Sequence, residues 1–223
     1  MARLGLIFDL DDTLLESFST YVALHQRVAG ELGWPVPSRD DLVDYHGGWR
    51  ATLGRLFPGR PIDAFVERYD TLADRHPYPA IEGAGRVLAR AARMSIPCWI
   101  VTSRSRRRLA LRMSQAGLSR HPFAGILCRE DQPEPKPSGR CFEPIRADPR
   151  AAGRRLVYVG DRHEDGRAAR AAGLPFVSVA TGPETLRDGT QPPGDLELAT
   201  VADLEPYVSD PGELVAAVGA SGT

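Results

Sequence analysis

Residues Leu4–Ser17 read LGLIFDLDDTLLES. Leu4, Leu6, Ile7 and Phe8 form a short apolar run broken only by Gly5, the pattern of a strand buried on both faces of a parallel sheet. Asp9 ends that run. Asp9, Asp11 and Asp12 then bring three carboxylates together within four residues. So much like charge is costly unless something positive sits among it. The simplest positive partner is a divalent metal, and a hard cation such as Mg2+ takes oxygen ligands while leaving positions open for water and for a phosphate group. An ordinary acidic turn after a strand is the competing reading, and the rest of the chain must decide between them.

With 223 residues the chain can bury a proper core and suits one domain with an insert, or two small domains. Charged residues make up 26% and the formal net charge is -1, so no global field points to nucleic acid or to a membrane surface. Cys98, Cys128 and Cys141 share no metal-ligand spacing. Cys98 and Cys128 lie in apolar, strand-like runs and read as buried thiols in a reducing compartment. No stretch approaches the length of a membrane span, and the amino terminus has no basic segment leading into an apolar one, so a cytoplasmic protein is expected.

After Leu15 the period changes from strand to helix. Tyr21, Leu24, Val28 and Leu32 recur at spacings of three and four, and Gly33 stands where a helix end favours a left-handed residue. Leu53, Leu56 and Phe57 suggest a second helix, and Ile62, Phe65, Val66, Tyr69 and Leu72 a third, with Pro58 and Gly59 as breakers between them. Residues 16–82 therefore read as an all-helical insert. From Gly83 onward strands and helices alternate, as in a doubly wound parallel sheet. Strands are expected at Pro97–Val101, Ala124–Cys128, Leu156–Val159 and, last, Phe176–Ala180. The expected organisation is an α/β core of residues 1–15 and 83–209, the helical insert, and a loosely held tail over 210–223.

Three further features fall at strand ends or in the loops between strands. The run PCWIV ends in Thr102 and Ser103, where a hydroxyl and adjacent amides can donate to a phosphate oxygen, although such residues also cap helices and form turns. Lys136 lies in EPKPSG, its backbone stiffened by Pro135 and Pro137. A held ammonium group there can balance carboxylates and phosphate together; the bland alternative is a solvated loop lysine. VYVGDRHEDGRAARAAG places Gly160 and Asp161 at the end of an apolar strand and Asp165 on the first turn of a helix. Helix capping explains one of these acids comfortably, and two aimed at one crevice less so.

The D-x-D-x-T pattern at Asp9, Asp11 and Thr13, then Thr102–Ser103, Lys136 and the GDxxxD of Asp161 and Asp165, resembles in order the four motifs of the haloacid dehalogenase-like superfamily. The resemblance covers nearly the whole chain. It implies a Rossmann-like core carrying a small helical cap, and a hydrolase acting on a small phosphorylated metabolite; the oligomeric state, monomer or dimer, stays open. It also implies roles. Asp9 would attack phosphorus to form an aspartyl-phosphate, and Asp11 would protonate the leaving oxygen and then activate water. Mg2+ would be held by Asp9, the backbone carbonyl of Asp11 and Asp161, with Asp165 in support. Thr102, the amide of Ser103 and Lys136 would hold the phosphoryl oxygens as charge spreads over them. Asp11 argues for phosphate esters, since members that attack carbon lack it. Asp12 occupies a position where glycine is frequent, and Ser103 replaces a common Asn.

Within the family the chain looks most like the phosphoglycolate phosphatases. A cap that closes over the site would read the leaving group. Candidates there are Tyr45, His46, Gly47, Gly48, Trp49 and Arg50, and in the core Arg104, near enough to the crevice to meet a second anionic group. An inter-helix turn with a buried Trp is the plain alternative for HGGWR. A mutase of the β-phosphoglucomutase type is a second reading, opposed by Tyr21 where those enzymes carry His. A non-catalytic binding protein on the same fold is a third.

Overall fold

The computed structural model describes residues 3–43 and 48–219. Among these residues six strands form one parallel sheet: β1 (Arg3–Phe8), β2 (Cys98–Val101), β3 (Gly125–Leu127), β4 (Arg154–Gly160), β5 (Phe176–Val179) and β6 (Leu196–Leu198). Their order is β3-β2-β1-β4-β5-β6. The apolar runs of β1, β2 and β4 are continuous because both sheet faces are covered, so neither face calls for polar residues. Strand β1 lies between β2 and β4, with Phe8 opposite both Ile100 and Val159. The chain winds outward in both directions from this centre, which opens a crevice beyond the carboxyl ends of β1 and β4.

Two compact units result, Met1–Glu16 with Pro79–Thr223 and, separately, Ser17–Tyr78. The smaller unit is built from α1 (Phe18–Glu31), α2 (Trp49–Leu56) and α3 (Ile62–Ala73). Leu24 and Val28 on α1, Leu53 on α2, and Phe65, Tyr69 and Leu72 on α3 meet in its core, following the three-and-four spacing of their sequence. His25 is fully buried among them. Its Nδ1 donates to the Tyr21 carbonyl at 2.7 Å, and its Nε2 accepts from Trp49 Nε1 at 2.9 Å. Burial pushes its pKa down to about 4, against a weaker upward pull from the Tyr21 carbonyl.

In the larger unit α4 (Ala84–Arg93), α5 (Arg106–Gln115), α9 (Glu205–Ser209) and α10 (Pro211–Ala217) cover one face of the sheet. The other face is packed by α6 (Glu143–Arg146) and α7 (His163–Ala172), through Phe142, Ile145, Ala168 and Ala169. The short α8 (Pro183–Asp188) follows β5. All three cysteines are buried free thiols. No described helix is long and apolar enough to cross a membrane.

Two expectations need correction. The sheet does not stop at β5, because β6 pairs with it from Val177–Leu196 to Val179–Leu198. Three residues with an exposed Glu197 at their centre are too short to show a strand period. Residues 210–219 of the expected tail are not loose: Asp210 caps α10 by accepting from Gly212 N at 3.0 Å and Glu213 N at 3.3 Å. Leu214 and Val218, four residues apart, then join the core. Small neighbours hid a two-residue apolar anchor.

Candidate functional site

The parallel register of β1 and β4 brings the acids together. Asp9 N donates to Val159 O at 2.8 Å, so Asp9 leaves its strand beside Gly160 and one residue before Asp161. The following loop is tightly held: Leu14 N and Leu15 N both donate to Leu10 O, and Asp12 N donates to Leu15 O. Asp12 adopts φ 60, a left-handed conformation that glycine takes most readily and aspartate tolerates. This is the physical reason glycine suits that position.

Lys136 is the one lysine in the sequence; every other basic residue among the 28 Lys+Arg is arginine. Its Nζ lies 2.6 Å from Asp9 Oδ1, 2.6 Å from Asp165 Oδ1 and 3.1 Å from the Tyr158 hydroxyl. A compact ammonium with three donors meets three oxygens around one point, which a planar guanidinium cannot do. Burial pulls the Lys136 pKa down, but Asp165 and Asp9 together outweigh it and hold the group well above the ordinary lysine value.

Asp165 is used completely by this arrangement. Its Oδ1 also accepts from Tyr158 Oη at 2.7 Å, and its Oδ2 accepts from Arg162 N at 3.0 Å, capping α7. Gly160 makes room for it, since a Cβ there would stand 2.8 Å from the Asp165 carboxyl group. Tyr158 went unrecognised in the sequence because a tyrosine inside an apolar strand reads as core. The useful signal is that a fully buried phenol needs a polar partner.

Asp161 is buried and less satisfied. Thr13 Oγ1 donates to its Oδ1 at 2.9 Å, while its Oδ2 is buried with no hydrogen-bond partner among the described residues. Gly182 is packed against this oxygen; a Cβ there would lie 2.4 Å from Oδ2. Desolvation, then the charges of Asp165, Asp9 and Asp12, raise the Asp161 pKa well above the usual carboxylate range. Burial likewise raises Asp9 to about 8, against the pull of Lys136. One carboxylate oxygen from each of Asp9, Asp161 and Asp165 lies within 4.8 Å of the others. A group with three buried acids, one ammonium and an orphaned carboxylate oxygen lacks positive charge, and an oxygen-seeking divalent cation fits that deficit.

Thr102 lies at the end of β2, where its Oγ1 accepts from Arg104 N at 3.1 Å and its carbonyl accepts from Gln132 Nε2 at 2.8 Å. Its hydroxyl proton is still available to donate. Ser103 is exposed beside it. Arg104 turns back onto Asp11 with both ends of its fork: Nε donates to Oδ2 at 3.0 Å, and Nη2 pairs with Oδ1. Of the residues expected in the helical unit, His46 and Gly47, with Tyr45, lie outside the described residues. Trp49 is half-buried in that unit's own core, its ring centroid 4.8 Å from that of Tyr69. Arg50 is exposed and pairs with Asp63 at 2.7 Å.

Known proteins resemble the chain over most of its length. Residues 6–179 match the family model described as haloacid dehalogenase-like hydrolase. A phosphoglycolate phosphatase of Chromobacterium violaceum is 30% identical over 218 residues, covering 88% of this chain and 92% of the relative. An N-acetylmuramic acid 6-phosphate phosphatase of Pseudomonas putida is 27% identical, covering 80% of this chain and 83% of its own. Among solved structures, a Haemophilus somnus protein described as a predicted phosphoglycolate phosphatase superposes with a TM-score of 0.75 at 17% identity, over 92% of this chain and 97% of that one.

Proposed function

Because the chain belongs to the haloacid dehalogenase-like hydrolase family, we propose that it is a Mg2+-dependent phosphatase that cleaves a small phosphate monoester through an aspartyl-phosphate on Asp9. The observation that carries this reading is Lys136 held between Asp9 and Asp165 beside the under-satisfied Asp161. Asp9 is the nucleophile: Lys136 fixes one of its oxygens and leaves the other to approach phosphorus. Asp11, two residues on, gives a proton to the leaving oxygen and takes one from the water that hydrolyses the acyl phosphate. Lys136, Thr102 and the Ser103 amide bind the phosphoryl oxygens, stabilising charge where it develops. Asp9, Asp161 and the Asp11 carbonyl would hold Mg2+, which supplies the missing positive charge and draws electron density from the phosphoryl group. Asp165 supports Lys136.

The relatives' names support a narrower substrate class. Phosphoglycolate and N-acetylmuramic acid 6-phosphate are both phosphate monoesters that also carry a carboxylate, so we place this chain's substrate among carboxylated phosphate monoesters. The helical unit, Ser17–Tyr78, is the cap that selects among them. Hydrolysis of p-nitrophenyl phosphate with Mg2+, measured beside Asp9→Asn, tests the reaction. Activity confined to the unaltered protein supports it, and equal rates in both remove it. A panel of phosphorylated acids beside neutral sugar phosphates then tests the substrate class.

A further inference from the structure

Arg104 and Asp11 are 93 residues apart in sequence, yet they form a two-point ion pair. Both partners are rigidly mounted. Arg104 N donates to Thr102 Oγ1 at 3.1 Å, and its carbonyl accepts from Arg129 N at 3.0 Å, so the backbone bearing the guanidinium is fixed on both sides. Asp11 stands in the closed loop after β1, where Asp12 N returns to Leu15 O and the Asp12 carbonyl accepts from Thr181 Oγ1. The side chains are only 19% and 29% exposed, so the pair sits within the crevice and not on the open surface. A forked guanidinium on a carboxylate fixes the plane of the carboxyl group as well as its distance, which a single hydrogen bond does not.

We propose that Arg104 is a positioning residue for Asp11, its fork orienting the carboxyl group that passes the proton to the leaving oxygen. The proposal rests on the phosphatase reading above. Proton transfer by a placed side chain contributes roughly 10²–10⁴-fold, and small misplacements forfeit much of that. The contribution matters only where the leaving group needs a proton. An alkyl alkoxide needs one, and a 2,4-dinitrophenolate does not.

Arg104→Met keeps an unbranched stem and removes the fork; Arg104→Lys keeps the charge and removes the planarity. With an alkyl phosphate such as phosphoglycolate, kcat of Arg104→Met should fall roughly 10- to 100-fold, with KM changed less than threefold. With 2,4-dinitrophenyl phosphate its kcat should stay within threefold of the unaltered protein. Arg104→Lys should lie between the two on the alkyl ester. Equal losses on both esters, or none on either, would overturn the proposal. So would a raised KM for the carboxylated ester at constant kcat, which would make Arg104 a receptor for a second anion. Crystal structures of the unaltered protein and of Arg104→Met give a readout independent of turnover: the Asp11 carboxyl plane should rotate away in the variant, and an unchanged plane refutes the positioning role. Inactivity of the unaltered protein on both esters would instead count against the phosphatase reading, and those crystal structures would still decide the role of Arg104.

Discussion

Replacing Lys136 with methionine removes the ammonium group and little else, since the two side chains have similar length. At the observed 2.6 Å each of the two ion pairs is worth about 6 kcal/mol by Coulomb's law at an effective dielectric of about 20. Desolvation of three buried charges offsets much of this, several kcal/mol per ion. Removing one partner leaves the others buried and uncompensated, so the loss should be about 3–5 kcal/mol at pH 7.5. Urea unfolding in EDTA, followed by circular dichroism, measures it. The sign of the pH dependence follows from the acids. Burial has already raised Asp9 to about 8, and without Lys136 it rises further. Both folded proteins hold Asp9 largely protonated below about pH 7, and the variant keeps that proton to higher pH than the unaltered protein, so the gap between the two should widen as pH rises through 8. Adding Asp165→Asn to Lys136→Met should recover part of the loss, a coupling above about 1 kcal/mol. In activity, losing a group that stabilises the developing phosphoryl charge should cost at least about 10²-fold in kcat. Stability within about 1 kcal/mol of the unaltered protein, or a gap independent of pH, would refute the electrostatic role assigned to Lys136.

His25 should make the protein sensitive to acid: its folded pKa of about 4 lies below the ordinary 6.5, so its contribution is complete above pH 6.5 and disappears as pH falls toward 4. The lowering to about 4 corresponds to about 3 kcal/mol, and urea midpoints from pH 7 to 4.5 should lose that pH dependence in His25→Leu. Mg2+ should raise the thermal midpoint by stabilising the folded state, about 2.7 kcal/mol at 100 times its Kd, and Asp161→Asn should largely abolish the shift in differential scanning calorimetry. Gly182→Ala should drive a methyl group against Asp161 Oδ2, costing about 1–3 kcal/mol in unfolding experiments and weakening the Mg2+ shift.

What could be read from the sequence was what local pattern encodes. Apolar runs ending in Asp9 and Gly160–Asp161 marked strands buried on both faces, and in a parallel sheet their carboxyl ends necessarily share one side. Lys136 was conspicuous through its flanking prolines, but its contact with Asp165 depends on how far a loop reaches back over the sheet. Pairings across the fold left no local trace. Arg104 stood in an arginine-rich run that resembles a solvated helix face, and nothing near it names Asp11 as partner. The Thr13 hydroxyl likewise reaches Asp161 across 148 residues. Trp49 was open to two readings, a loop touching ligand or a buried turn residue, and only the tertiary contact of its indole with buried His25 favours the second.

The covalent intermediate is the most direct point of test. The protein, mixed with a 32P-labelled phosphate monoester and Mg2+, is quenched in acid within milliseconds, reduced with borohydride and mapped by peptide mass spectrometry. The account predicts radioactive label on the unreduced Leu4–Ser17 region and, after reduction, homoserine in place of Asp9, with neither in Asp9→Asn. Turnover with no label on the protein, or label on a different residue, would contradict it.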